Sequence, residues 1–111
     1  MILVAAHSAA VGIALAAFPE WSTAFAGFGP VRPLFFARQA GVFHLVLAAG
    51  YLLEARRGSV RLLVTAKTVA AVFLSLAWIS GVPGWSVPFS AAGDALMGVA
   101  AAWLARSAAR R

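Results

Sequence analysis

The stretch Phe35-Phe36-Ala37-Arg38-Gln39-Ala40-Gly41-Val42-Phe43-His44, continuing through Leu45 to Glu54, decides how the whole chain is read. Its length and apolar run suit a membrane-spanning helix, which needs about 20 such residues. Yet it carries an arginine, a glutamine and a histidine. Such groups are expensive against lipid, so they mark places where the protein itself supplies partners.

The rest of the composition agrees with a span here. Of 111 residues, 63% are hydrophobic and 11% charged, with a mean hydropathy of +0.92; soluble domains carry about a quarter charged residues. A soluble core of this size has no room for so much apolar surface, whereas a bilayer is an apolar solvent for it. The net charge of +6 and pI near 11.8 would suit nucleic acid. However, the basic residues cluster beside hydrophobic segments and do not form a solvated patch with interleaved aromatics. The positive-inside rule accounts for that placement, and no nucleic-acid partner is expected. Cysteine is absent, which excludes disulfides, thiol redox chemistry and thiolate metal sites.

Working outward, the segment upstream runs from Ile2 to about Phe18 and is read as the first helix, ending at Pro19-Glu20 with Trp21 as an interfacial aromatic. Ala24-Phe25-Ala26 resembles a leader cleavage site, but no Lys or Arg precedes the apolar run. Residues 22–34, with Gly27, Gly29, Pro30 and Pro33, read as an apolar loop. That loop suits a lid, a cap folded over the bundle or a docking surface. The second helix covers about 35–54 and stops at Arg56-Arg57-Gly58, where Gly58 suits a C-cap. The third covers about 60–80 with Ser59 as a candidate N-cap. After the turn-rich stretch Gly81 to Pro88, the fourth covers about 90–106.

Arg56, Arg57 and Arg61 lie between the second and third helices, and Arg106, Arg110 and Arg111 lie at the C-terminus. This arrangement predicts a single transmembrane domain over 1–111, an all-α up-down four-helix bundle with N and C termini cytoplasmic.

Membrane helices meet through small residues, so stripes of these predict the inward faces. On the second helix the stripe is Ala37, Ala40, Gly41, His44, Ala48 and Tyr51; on the fourth, Ala91, Asp94, Gly98, Ala101, Ala102 and Ala105. On the first it is His7, Ala10, Ala14 and Ala17; on the third, Lys67, Ala70, Ala71, Ser75 and Trp78. At about 1.5 Å per residue, Arg38, Gln39 and Asp94 fall in the outer third, His44 near the middle, and His7 and Lys67 in the inner third.

Arg38 and Asp94 lie at matching depths on antiparallel helices, so they read as a structural clasp, a ligand or ion site, or two groups snorkelling independently. Lys67 fits snorkelling to the inner surface along its aliphatic stem. His44 fits a structural hydrogen-bonding role, a pocket wall, a proton relay or a metal ligand. Haem held by His7 and His44 is disfavoured because their depths differ by about a turn. No metal site is expected, since only one carboxylate lies within a span and no His/Glu pair has ligand spacing. No catalytic triad or phosphate-binding loop is present. Arg38 lies about 110° round its helix from the small stripe, counting about 100° per residue, so it reads as a flank residue reaching for Asp94 or an outer headgroup, with His44 assigned to a pocket and Arg38 with Asp94 to its outer gate or clasp.

Phe35 to Leu45, a lysine in the third helix followed by Phe73-Leu74, and Gly93-Asp94-Ala95-Leu96-Met97-Gly98 together resemble the small four-helix proteins of the broad DoxX-like group. The resemblance implies a multi-pass protein of the bacterial cytoplasmic membrane, in a group some of whose members are associated with quinone- or thiol-linked redox systems. The lack of cysteine sets aside a direct thiol role here.

Three functions fit these residues. The first is a binding protein or accessory membrane subunit whose interior holds a quinone or lipid near His44, Tyr51, Arg38 and Asp94. The second is a membrane enzyme with Asp94 or His44 as acid/base and Arg38 as electrostatic stabiliser. The third is an oligomeric transporter or channel, which for so small a chain needs a homodimer or larger assembly. The ligand-binding candidates are Arg38, Gln39, His44, Tyr51, Lys67, Asp94 and His7.

Overall fold

The computed structural model describes residues 1–111 and is wholly helical: α1 (Ile2–Ala17), α2 (Pro19–Phe25), α3 (Leu34–Arg56), α4 (Arg61–Ile79) and α5 (Ser86–Ala109). Helices α3, α4 and α5 are each long and apolar enough to cross a membrane. The pair α1 and α2, bent by 119°, adds a fourth if it counts as one broken span. Only 14 of 111 residues are buried, and the exposed ones include Leu3, Phe35, Phe73, Ile79 and Leu96. A surface this apolar fits a multi-pass membrane protein, where lipid is the solvent and every backbone group is satisfied within helices.

The bend between α1 and α2 has a local cause. Phe18 N–H and the Ser22 hydroxyl both donate to the Ala14 carbonyl, each at 2.8 Å. Pro19 opens α2, where its missing N–H is no loss. The part of the expected loop from Ser22 to Phe25 is therefore helical, and only the glycine- and proline-containing remainder turns.

The long helices form two pairs, α1 with α3 and α4 with α5. In the first, the backbones touch: a Cβ on Gly12 would lie 2.7 Å from the Gly41 carbonyl oxygen, and one on Gly41 2.7 Å from that of Gly12. The two pairs meet at both ends. Towards the N-terminus and the α3–α4 link, Ala5, Tyr51 and Leu63 form a core extended by Val4, Leu47, Ala66 and Ala101. At the opposite, aromatic end, Trp85 Nε1 donates to the Phe25 carbonyl at 2.6 Å and Ser86 N–H to the Ala26 carbonyl at 3.3 Å. Gly27 (φ +92°) and Gly84 (φ +110°) permit that close approach; a Cβ on Gly27 would stand 2.9 Å from Trp85 N.

Most of the small stripes expected on the second and fourth helices face inward: Ala37, Gly41, Ala48 and Tyr51 are buried on α3, and Ala91 and Gly98 on α5, while Ala40 is exposed. The first helix is rotated from its expected face. Its buried residues are Ala5, Ser8 and Gly12, while His7, Ala10 and Ala17 are exposed. Alanine occurs on every side of α1, so it does not discriminate; the glycine that allows backbone contact sets the face. On α4, Lys67 is buried as expected, but Trp78 at the end of the expected stripe is 57% exposed.

Two helix starts also differ from expectation. Helix α5 begins at Ser86, with Pro88 inside its first turn, where the missing N–H would have had no intrahelical partner. At the start of α4, the cap comes from the preceding helix. The Glu54 carboxylate accepts Leu62 N–H at 2.8 and 2.9 Å, Leu63 N–H at 3.4 Å and the Ser59 hydroxyl at 2.8 Å. An anion at that position also complements the helix dipole.

Candidate functional site

The strongest polar contact in the interior joins α4 to α5. Lys67 Nζ donates to Asp94 Oδ1 at 2.7 Å, and the two side chains are only 7% and 14% exposed. This corrects two expectations. Asp94 is paired with Lys67 and not with Arg38, and Lys67 does not snorkel toward the nearer helix end. Its Cβ lies level with Gly98, 3.3 Å from where a Cβ on that glycine would stand. Asp94 is one turn further toward the aromatic end, about 6 Å by helical rise. The lysine stem therefore runs away from the N-terminus of α4, against the backward lean of a helical Cα–Cβ bond. Only the buried carboxylate accounts for that direction. The pair cancels two charges that are each costly to place in apolar surroundings.

His44 and Tyr51 lie on the inward face of α3, His44 half-buried and Tyr51 fully buried. Tyr51 is 1% exposed and belongs to the core that joins the two helix pairs. No fully buried side-chain nitrogen or oxygen lacks a hydrogen-bond partner. His7 lies on α1.

His7 does not point into a packed centre. It lines a side cleft of about 510 Å³ whose walls are Ala10, Val11, Ala14 and Leu15 of α1 and Trp85, Phe89 and Ser90 of α5. Trp21 and Phe25 of α2, with Phe28, cover one end of it. Trp21 stacks on Phe25 with centroids 5.2 Å apart, and Phe25 meets Trp85 edge-on at 5.5 Å. Ser90 is one turn from Asp94 on α5. The cleft thus has apolar walls with polar groups behind one side, the usual make-up of a small-molecule site.

Arg38 and Gln39 are exposed and are not brought into this centre. Arg38 instead borders a groove beside Phe18, Pro19, Glu20 and Trp21 at the aromatic end. Of the candidates read from sequence, Lys67 and Asp94 are paired, His44 and Tyr51 lie on the inward face of α3, His7 lines the cleft, and Arg38 and Gln39 stand apart. Phe89 was missed because α5 starts four residues before its expected position; Trp85 and Ser90 were not read as lining a site because only the folding of α2 against the start of α5 brings them to the cleft.

The fold and site define a class: an all-helical protein with three or four apolar spans and a buried cation–carboxylate pair among them. The chain matches no family model, no curated protein and no solved structure.

Proposed function

We propose that this protein is a four-helix up-down bundle of the bacterial cytoplasmic membrane that holds a lipophilic molecule with a polar head, of the quinone or lipid kind, in the cleft between α1 and α5. In this reading the basic end, with Arg56, Arg57, Arg61, Arg106, Arg110 and Arg111, faces the cytoplasm. The DoxX-like resemblance points the same way, since some of that group are associated with quinone-linked systems. The observation that carries the proposal is the cleft itself: about 510 Å³, walled by alanine, valine, leucine and aromatic side chains, with His7 along it. A head group beside His7 finds a hydrogen-bonding partner, while the tail meets apolar walls. Binding is favoured over acid/base catalysis because Asp94 is already held by Lys67 at 2.7 Å.

The site can be read through its own tryptophans, because Trp21 and Trp85 border the cleft. In a Trp78→Phe/Trp103→Phe background, titration with a short-chain quinone is expected to quench the remaining fluorescence saturably. His7→Leu is expected to weaken binding about tenfold, the effect of losing one hydrogen bond to a buried polar group. Ala14→Phe, which fills the cleft, should abolish it. Quenching that never saturates, or that is indifferent to both substitutions, would sink the proposal.

A further inference from the structure

On the face of the α4/α5 pair there is a second groove that the cleft does not use. At the basic end it begins as a hollow of about 410 Å³ between Arg61 and Arg106, with Thr65 beside them. It continues past Val64 and Ala102, which it shares with a further hollow of about 310 Å³ reaching Thr68, Gly98 and Asp94. Neither arginine is in a salt bridge: the ion pairs are Arg32 with Glu20 and Lys67 with Asp94. Glu54, the acid at this end, is turned into the amides of α4.

We infer that this groove is a binding site for one anionic phospholipid, its phosphate held between Arg61 and Arg106 and an acyl chain lying along the groove toward Asp94. The chemistry of each part selects the occupant. Two guanidinium groups present paired donors suited to phosphate oxygens, and Thr65 adds a hydroxyl at the level of a glycerol ester. Beyond them the lining is Val64, Ala102, Gly98 and Val99, with no charge until Asp94. From Arg106 to Asp94 is 12 residues, about 18 Å by helical rise, close to the ~15 Å half-thickness of a bilayer's hydrocarbon core. An acyl chain of one leaflet spans that length.

A second copy of the chain fits the groove less well. Across a twofold axis Arg61 and Arg106 would meet their own counterparts, positive against positive. The inference rests on the membrane-spanning reading but not on the α1/α5 cleft, so the two sites fail independently.

The test is native mass spectrometry of the full chain, released from detergent after incubation with phosphatidylglycerol or phosphatidylcholine of the same acyl composition. One bound phosphatidylglycerol is expected at about tenfold preference, because both lipids carry the phosphate but only phosphatidylcholine brings a quaternary ammonium cation up to the two guanidinium groups. Arg61→Gln/Arg106→Gln should remove that preference. Arg110→Gln/Arg111→Gln, which removes the same charge nearby, should change it by less than about twofold if the contacts are specific and not a diffuse surface attraction. Ala102→Phe, which blocks the groove and leaves both arginines, should also lower occupancy. Equal losses in the two arginine pairs, displacement of the lipid by millimolar inorganic phosphate, or crosslinking of Ala102→Cys into dimers in membranes would each overturn the inference. The first result would show a diffuse charge effect, the second a free-phosphate site, and the third a protein interface.

Discussion

The α1/α3 pair and the α4/α5 pair are joined by opposite means. In the first, glycines bring two backbones into contact. In the second, the helices are tied by one buried ion pair, and the groove beside it stays open. The difference shows two ways of joining apolar helices, by backbone contact and by a charged tie. Close packing gains dispersion contacts but leaves no room for a ligand. A charged tie holds its helices while leaving space around itself, but it demands that both partners be present.

That contrast predicts which substitutions hurt most. Breaking the tie from one side, with Asp94→Asn, leaves the Lys67 charge buried without a counterion. The expected loss is about 3–5 kcal/mol, read as a lower unfolding midpoint in detergent. Loss below about 1 kcal/mol would mean that Lys67 finds water or a head group instead.

The glycine contact is the next most sensitive point. Gly41→Ala places a Cβ 2.7 Å from the Ala16 amide nitrogen as well as the Gly12 carbonyl. The two helices must then separate, at an expected cost of about 1–3 kcal/mol in the same unfolding assay. Gly98→Ala, whose Cβ would meet only the Lys67 Cβ at 3.3 Å, should be clearly milder. If the two substitutions are equal, the first pair is not the more tightly packed one.

Smaller effects sharpen the comparison at its edges. Glu54→Ala removes the cap on α4 and is expected to lower stability by about 1 kcal/mol. Arg32→Ala breaks a pair whose side chains are 74% and 65% exposed, and the midpoint should move by less than about 0.5 kcal/mol equivalent.

Much of this arrangement is legible in the sequence wherever one residue type stands out from its surroundings. Gly41 and Tyr51 mark the inward face of α3 because they share a helical stripe of small residues, while Phe36, Phe43, Val46 and Leu53 lie on other sides. Asp94 marks the inward face of α5 because no other carboxylate lies in that span. The first helix is different: with alanines on every side, its stripe through His7 is no more marked than the one through Ser8 and Gly12. Only the contact with Gly41 decides between them. The partner of Asp94 was equally hidden. Depth along an ideal helix favoured Arg38, and the reach of a lysine stem of several carbons, extended away from its own helix start, is set by where the carboxylate sits. Pro88 read as a turn because it closes the stretch of Gly81, Pro83 and Gly84, although the first turn of a helix tolerates proline.

Lys67 and Asp94 form one buried unit tying α4 to α5. A double-mutant cycle tests it most directly, using Lys67→Met, Asp94→Leu and the two together, each followed by unfolding in the same detergent. Two apolar residues in place of the pair leave no stranded charge. The double variant is therefore expected to be more stable than either single one, with a coupling of about 2–3 kcal/mol. Additive losses, leaving the double variant the least stable of the three, would contradict it.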